Sequence, residues 1–121
     1  MATMNSVIEY VDSIKPNVFE ETDKYQWIKT VEGLISAEVH GAEDPVVLSV
    51  PEDADKELSV PAPYDDVYSL YVCAMIDFHN REYDNYNNTV LMFTERMGQY
   101  KNYYIRKHGR GGARNFRNVM G

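Results

Sequence analysis

Apolar residues recur at helical spacing in four stretches of this chain, and between the second and third of them the rhythm shortens. The first stretch opens with Ser6-Val7-Ile8-Glu9, which fits the Ser-x-x-Glu capping box, and carries Val7, Tyr10, Val11 and Ile14 on one face. Pro16 ends it, because the residue before a proline is pushed out of the α region. The second, over residues 21–40, sets Trp27, Ile28, Val31, Leu34 and Ile35 on one stripe. Glu20, Glu21 and Asp23 crowd its start, where the helix dipole favours acids, and Gly41 supplies a stop.

Next comes "VVLSVPEDADKELSVPAP", with Leu-Ser-Val-Pro at 48–51 and again at 58–61. Two short β-prone runs around the polar "EDADK" predict a hairpin over about 46–60. Pro51, Pro61 and Pro63 each remove a ladder donor, which places it at an edge or on an arm. A lone hairpin is marginal in water and must lean on its own helices or on a neighbouring subunit. Val47, Leu48, Val50, Leu58 and Val60 are the residues through which it would do so.

The third helix begins near Tyr64, with Asp65 and Asp66 in its first turn. Val67, Leu70, Tyr71, Ala74 and Phe78 form one face; Val72, Ile76 and, if the helix continues, Tyr83 form the other. A helix apolar on two faces is buried on two faces. A neighbouring subunit over Tyr68, Val72, Ile76 and Tyr83 is the expected cover, with the amino-terminal helix as the alternative. The last helix, about 86–106, gathers Tyr86, Val90, Phe93, Met97, Tyr100 and Tyr104 in a narrow arc. Gly109, Gly111 and Gly112 then introduce a flexible arm. The expected fold is therefore mainly α, a small bundle of about four helices with one β-hairpin inserted between the second and third. The organisation is a helical domain over 1–108 and a flexible basic tail over 109–121.

Composition changes this picture in one respect. The chain has 121 residues, enough for one domain, and a net charge of −7. From Lys101 onward it carries Lys101, Arg106, Lys107, Arg110, Arg114 and Arg117 and no acid. The other six bases and all 19 acids precede that point, so residues 1–100 carry −13 against +6 beyond. An acidic body with a basic tail points to an acidic partner for the tail, either nucleic acid or an acidic protein surface. No secretory leader is read at the start, and no apolar run reaches the roughly 20 residues a membrane helix needs. The single Cys73 excludes an internal disulfide and reads as a buried thiol of a reducing cytoplasm.

Candidate chemistry concentrates in "IDFHNREYDNYNN", residues 76–88. On a continuous helix Asp77 and Asp84 project within about 20° of each other, while His79 and Glu82 point to nearly the opposite side. Such a set cannot close round one ion, and Asp77 would instead pair with Arg81. A calcium loop tried from Asp84 to Glu95 fails where Tyr86 replaces an oxygen ligand and Thr89 the turn glycine. Cys73 has no neighbouring base to activate it. No enzyme activity, cofactor, metal or small-molecule substrate is expected. The glycines and arginines of "HGRGGARNFRN" lack the preceding strand of a phosphate loop, but could bind nucleic acid through counterion release. Ten tyrosines, mostly on the last two helices, suit interfaces, with Tyr71 and Tyr100 read as core.

In order and texture the segments resemble the head–tail connector (adaptor, or head-completion) proteins of long-tailed bacteriophages. A capped first helix ending "SIKPN" is followed by "YQWIKTVEGLISAEV", then by the proline-bounded "ELSVPAPYDDVYSLY". "AMIDFHNREYDNYNN" and "FTERMGQYKNYYIRK" complete a resemblance that spans roughly residues 5–107. The most specific part is "VPAPYDDVY" with "AMIDF", whereas the glycine–arginine tail is less typical. The resemblance implies a virion protein made in the host bacterial cytoplasm that forms a ring, dodecameric by analogy, beneath the portal protein. It implies a ring that extends the DNA channel, passes DNA without sequence specificity and offers a platform to the stopper or tail. It also implies docking on the portal through the carboxy-terminal segment, for which Arg106, Lys107, Arg110, Arg114 and Arg117 are the candidates, with Phe116 as apolar anchor. The alternative is a small helical nucleic-acid-binding or regulatory protein that uses the basic arm.

Overall fold

A computed structural model of the chain describes residues 2–44 and 46–108. It contains four α-helices: α1 (Met4–Ile14), α2 (Glu21–Leu34), α3 (Asp66–His79) and α4 (Tyr83–His108). A π-helical turn, Ile35–Val39, extends α2, and Gly41 follows it with a positive φ of 70° that ends the helical run. The cap of α1 lies one turn earlier than the Ser6/Glu9 pattern predicts. Thr3 is the N-cap, its hydroxyl accepting from Ser6 N–H while Ser6 Oγ accepts from Thr3 N–H. The serine is therefore the third helical residue of a capping box rather than the cap itself.

α1 and α2 pack against α3 on one side, and α4 lies along it on another. Met4, Val7, Ile8 and Val11 of α1 meet Ile28, Val31 and Ile35 in a core completed by Val67, Val72 and Ile76 of α3. Tyr10 and Ile14, expected on the buried stripe of α1, are more than half exposed.

No β-strand, and so no hairpin, occurs among the described residues; the 46–60 region holds one isolated bridge, Thr3 with Glu57. Its backbone donors explain why. Within the turn, Asp53, Ala54 and Lys56 N–H donate to Ser49, Pro51 and Asp53 carbonyls. Beyond it, Leu58 N–H donates to the Ala2 carbonyl, Ser59 N–H to Glu32 Oε2 and Val60 N–H to Tyr68 Oη. The second run is thus bonded to the amino-terminal segment and to side chains of α2 and α3. The first donates from Val46 N–H to Ser36 Oγ of the π turn and from Ser49 N–H to Asp53 Oδ2, so the two are not bonded to each other. The alternation nevertheless marks the inward positions. Leu48, Leu58 and Val60 are buried in the chain's own core and Val50 is half-buried, while Val47 is 85% exposed.

The same bonds cover the second face of α3. Glu32, 3% exposed, accepts from Tyr68 Oη at 2.7 Å, from Ser59 N–H at 2.9 Å and from Ser59 Oγ at 2.8 Å. Burial, reinforced by the Glu32 carboxylate, pushes the Tyr68 phenol far above its ordinary pKa, so it stays a donor. Tyr68→Phe would strand the buried Val60 N–H and one Glu32 oxygen. Chemical denaturation should show a loss of about 2 kcal/mol, against well under 1 kcal/mol for Tyr103→Phe, whose hydroxyl meets only the exposed Lys107.

Candidate interaction surfaces

α4 has 26 residues, and of these only Tyr100 is buried. One face follows the predicted arc onto α3, where Phe93 packs on Tyr71 at 5.3 Å and Tyr86 on Phe78 at 5.2 Å between ring centroids. Arg96 reaches the first residue of α3, its Nε 3.0 Å from Asp66 Oδ1. The last 12 residues of α4 therefore run past the start of α3. They rest on Tyr64, 5.1 Å from Tyr103, and on His40, whose Nε2 lies 2.8 Å from Tyr100 Oη and whose ring sits 4.6 Å from that of Tyr104. Lys101, Arg106 and Lys107 are exposed on this overhang, where cations complement the helix carboxyl end. Arg96 and Arg106 flank a shallow cleft of about 320 Å³ with Pro63, Tyr64, Gln99 and Asn102.

At the opposite end of α4 lies the corner that looked most like chemistry. α3 stops at His79; Asn80 caps it, and Arg81 takes a positive φ of 62°. Glu82 N–H returns to the Asp77 carbonyl. Asp77, within the last turn of α3, faces fully inward and pairs with Lys15 Nζ at 2.7 Å, not with Arg81. His79 turns outward and stacks on Trp27, 5.6 Å away with ring planes 13° apart. Among the described residues no three His, Cys, Asp or Glu side chains come close enough to hold a metal ion. Cys73 is buried, and burial pushes its thiol pKa up, away from a reactive thiolate.

The expected self-interface divides in two. Tyr68, Val72 and Ile76 are at most 1% exposed, covered by the chain's own helices and the 57–60 segment, so the cover is intramolecular. Tyr83 is 52% exposed and available. Of the portal-docking candidates Arg106 and Lys107 are exposed, whereas Arg110, Arg114, Phe116 and Arg117 lie outside the described residues. Periodicity gave no warning of the polar residues that organise the surfaces. Glu32 falls among the inward positions of α2, and His40 follows the π turn. Comparison of the chain with protein-family models, with curated proteins and with solved structures found no match. No helix among the described residues is long and apolar enough to cross a membrane.

His40 gives the overhang a pH dependence. Burial holds its pKa below the ordinary 6.5; Glu32 opposes that shift, and His108, on the far side of Tyr104, adds to it. Because the unfolded chain takes up the proton first, the stability His40 confers is present above its unfolded pKa and is lost as pH falls through the folded value. Between about pH 7.5 and about pH 5.5 the denaturation midpoint should fall more for the natural protein than for His40→Gln. Equal falls would show that His40 does not link proton uptake to unfolding.

Proposed function

We propose that this chain is a structural virion protein, a head–tail connector that assembles as a ring between the portal and the stopper or tail and extends the DNA channel. The observation that carries the reading is the segregation of charge on a body with a largely uncovered fourth helix. Residues 1–100 carry −13, and the exposed Lys101, Arg106 and Lys107 stand on the overhanging end of α4. An acidic wall repels DNA and so lets it pass without adhesion, while a basic end seeks an acidic protein surface. Only Tyr100 of α4 is buried within the chain, which leaves most of that helix for neighbours in an assembly. Dodecameric stoichiometry and a site in the virion neck follow from the resemblance to connectors, and no catalytic step is part of the reading.

Arg106 and Lys107 are the described part of the proposed portal contact. Arg106→Glu combined with Lys107→Glu should weaken binding to the cognate portal by about tenfold or more, chiefly through slower association, and should leave the helical content unchanged. Binding of unchanged affinity and unchanged salt dependence would remove these residues from the contact.

The exposed basic end also favours a second reading, a small helical nucleic-acid-binding or regulatory protein. It requires duplex DNA binding whose logarithm falls linearly with the logarithm of salt concentration. Lack of binding at low salt eliminates it.

A further inference from the structure

Six rings form a continuous, partly exposed surface at the α3–α4 corner. Phe19 meets Trp27 edge-on at 5.6 Å, Trp27 stacks on His79, and Phe78 lies 5.4 Å beyond His79. Tyr86 and Tyr83 continue it at 5.2 Å and 6.1 Å from Phe78. Phe78 is 43% and Tyr83 52% exposed. In the chain Glu20 follows Phe19, Asp23 precedes Trp27 by one helical turn, and Glu82 and Asp84 flank Tyr83. All four are exposed and in no ion pair among the described residues, against one exposed cation in the same corner, Arg81. Aromatic faces rimmed by carboxylates select a guanidinium-bearing segment with an apolar anchor, through cation–π and charge-assisted contacts.

The chain itself contains such a segment. Residues 109–121 hold Arg110, Arg114 and Arg117 around Phe116, with no acid. It begins at the wrong end of the molecule to serve its own corner. From Tyr86, the ring of the corner on α4 closest in sequence to His108, the helix runs about 33 Å to His108. Phe116 lies eight residues beyond His108 and reaches only about 28 Å when fully extended. We propose that the aromatic corner receives the 109–121 segment of a second copy of this chain. The corner lies at the start of α4 and the segment follows His108 at its other end, so each copy would offer one half of the contact to each of two neighbours. That is a heterologous, head-to-tail arrangement, which closes as a ring or extends as a filament. The inference rests on the self-assembly part of the connector reading, and it leaves Arg106 and Lys107 on α4 to face the portal.

Trp27 is the only tryptophan and lies in the corner, so it reports occupancy directly. Titrating the full-length protein with a synthetic peptide of residues 109–121 should give a saturable change in Trp27 emission. The affinity should fall by about tenfold or more with Phe116→Ala in the peptide, and likewise with Glu82→Lys plus Asp84→Lys in the protein, exposed positions outside the core. A flat titration, or affinities indifferent to both changes, would overturn the proposal. Sedimentation then separates neighbour from self. Full-length Arg110→Glu/Arg114→Glu/Arg117→Glu and full-length Glu82→Lys/Asp84→Lys should each assemble less than the natural protein, and mixing them should restore assembly. Assembly undiminished in either variant alone, or a Phe116-dependent Trp27 signal that does not change with protein concentration, would contradict an exchange between copies. No portal enters these assays, so their failure alongside intact portal binding would sink the arm contact and leave the connector reading standing.

Discussion

Glu32 is a buried carboxylate that accepts three hydrogen bonds and has no ion-pair partner among the described residues. Burying a charge is costly unless hydrogen bonds replace its hydration. Tyr68 and Ser59 supply those donors, and in doing so they fasten the connection between α2 and α3 to both helices. Once the 57–60 segment is fixed, Leu58 N–H can reach the Ala2 carbonyl. A few residues earlier, the turn accepts from Asn5 N–H at the Ala54 carbonyl and from Asn5 Nδ2 at Asp55. The start of α1 is thereby positioned by the same segment that covers α3.

That arrangement decides which surfaces remain for partners. The inner faces of α3 are filled by the chain's own α1, α2 and connection, so Tyr68, Val72 and Ile76 have no area left to offer. α4 rests on α3 through a single stripe and outruns it. Its outer face, its basic carboxyl end and the aromatic corner at its start are what a neighbour can reach. A half-buried Lys15, the cap of α1, pairs with the fully buried Asp77 and ties the end of α1 to the end of α3. Burying Asp77 there removes the one carboxylate on α3 that could have joined His79 in a metal site.

The helical stripes were legible in the sequence because burial on one side imposes a 3.6-residue period, and α4 follows its predicted arc from Tyr86 to Tyr104. The hairpin was not. Alternation at Leu48, Val50, Leu58 and Val60 reports which side faces the core, and a segment bonded to side chains satisfies the same alternation as one bonded to a strand. Pro51, Pro61 and Pro63 would each weaken a ladder, and with the second run's donors taken by Ala2, Glu32 and Tyr68 no ladder forms. The Ser6 pattern misplaced the first cap because Thr3 and Ser6 form a reciprocal pair of their own. Asp77 and His79 point apart, as their two-residue spacing on one helix implies, because both lie within α3. What the spacing did not reveal is that Arg81, in a left-handed conformation, ends that helix before Glu82 and Asp84. The charge asymmetry, by contrast, needed only a count, and the structure adds that its described basic part stands exposed on the overhang.

As a connector, this fold would be repeated around a channel and seated on a portal. Electron microscopy of the protein mixed with its cognate portal assembly, and of each component alone, tests it most directly. An added ring of density is expected, coaxial with the portal channel and composed of repeated copies of this helical body. Portal particles unchanged at saturating protein would contradict it.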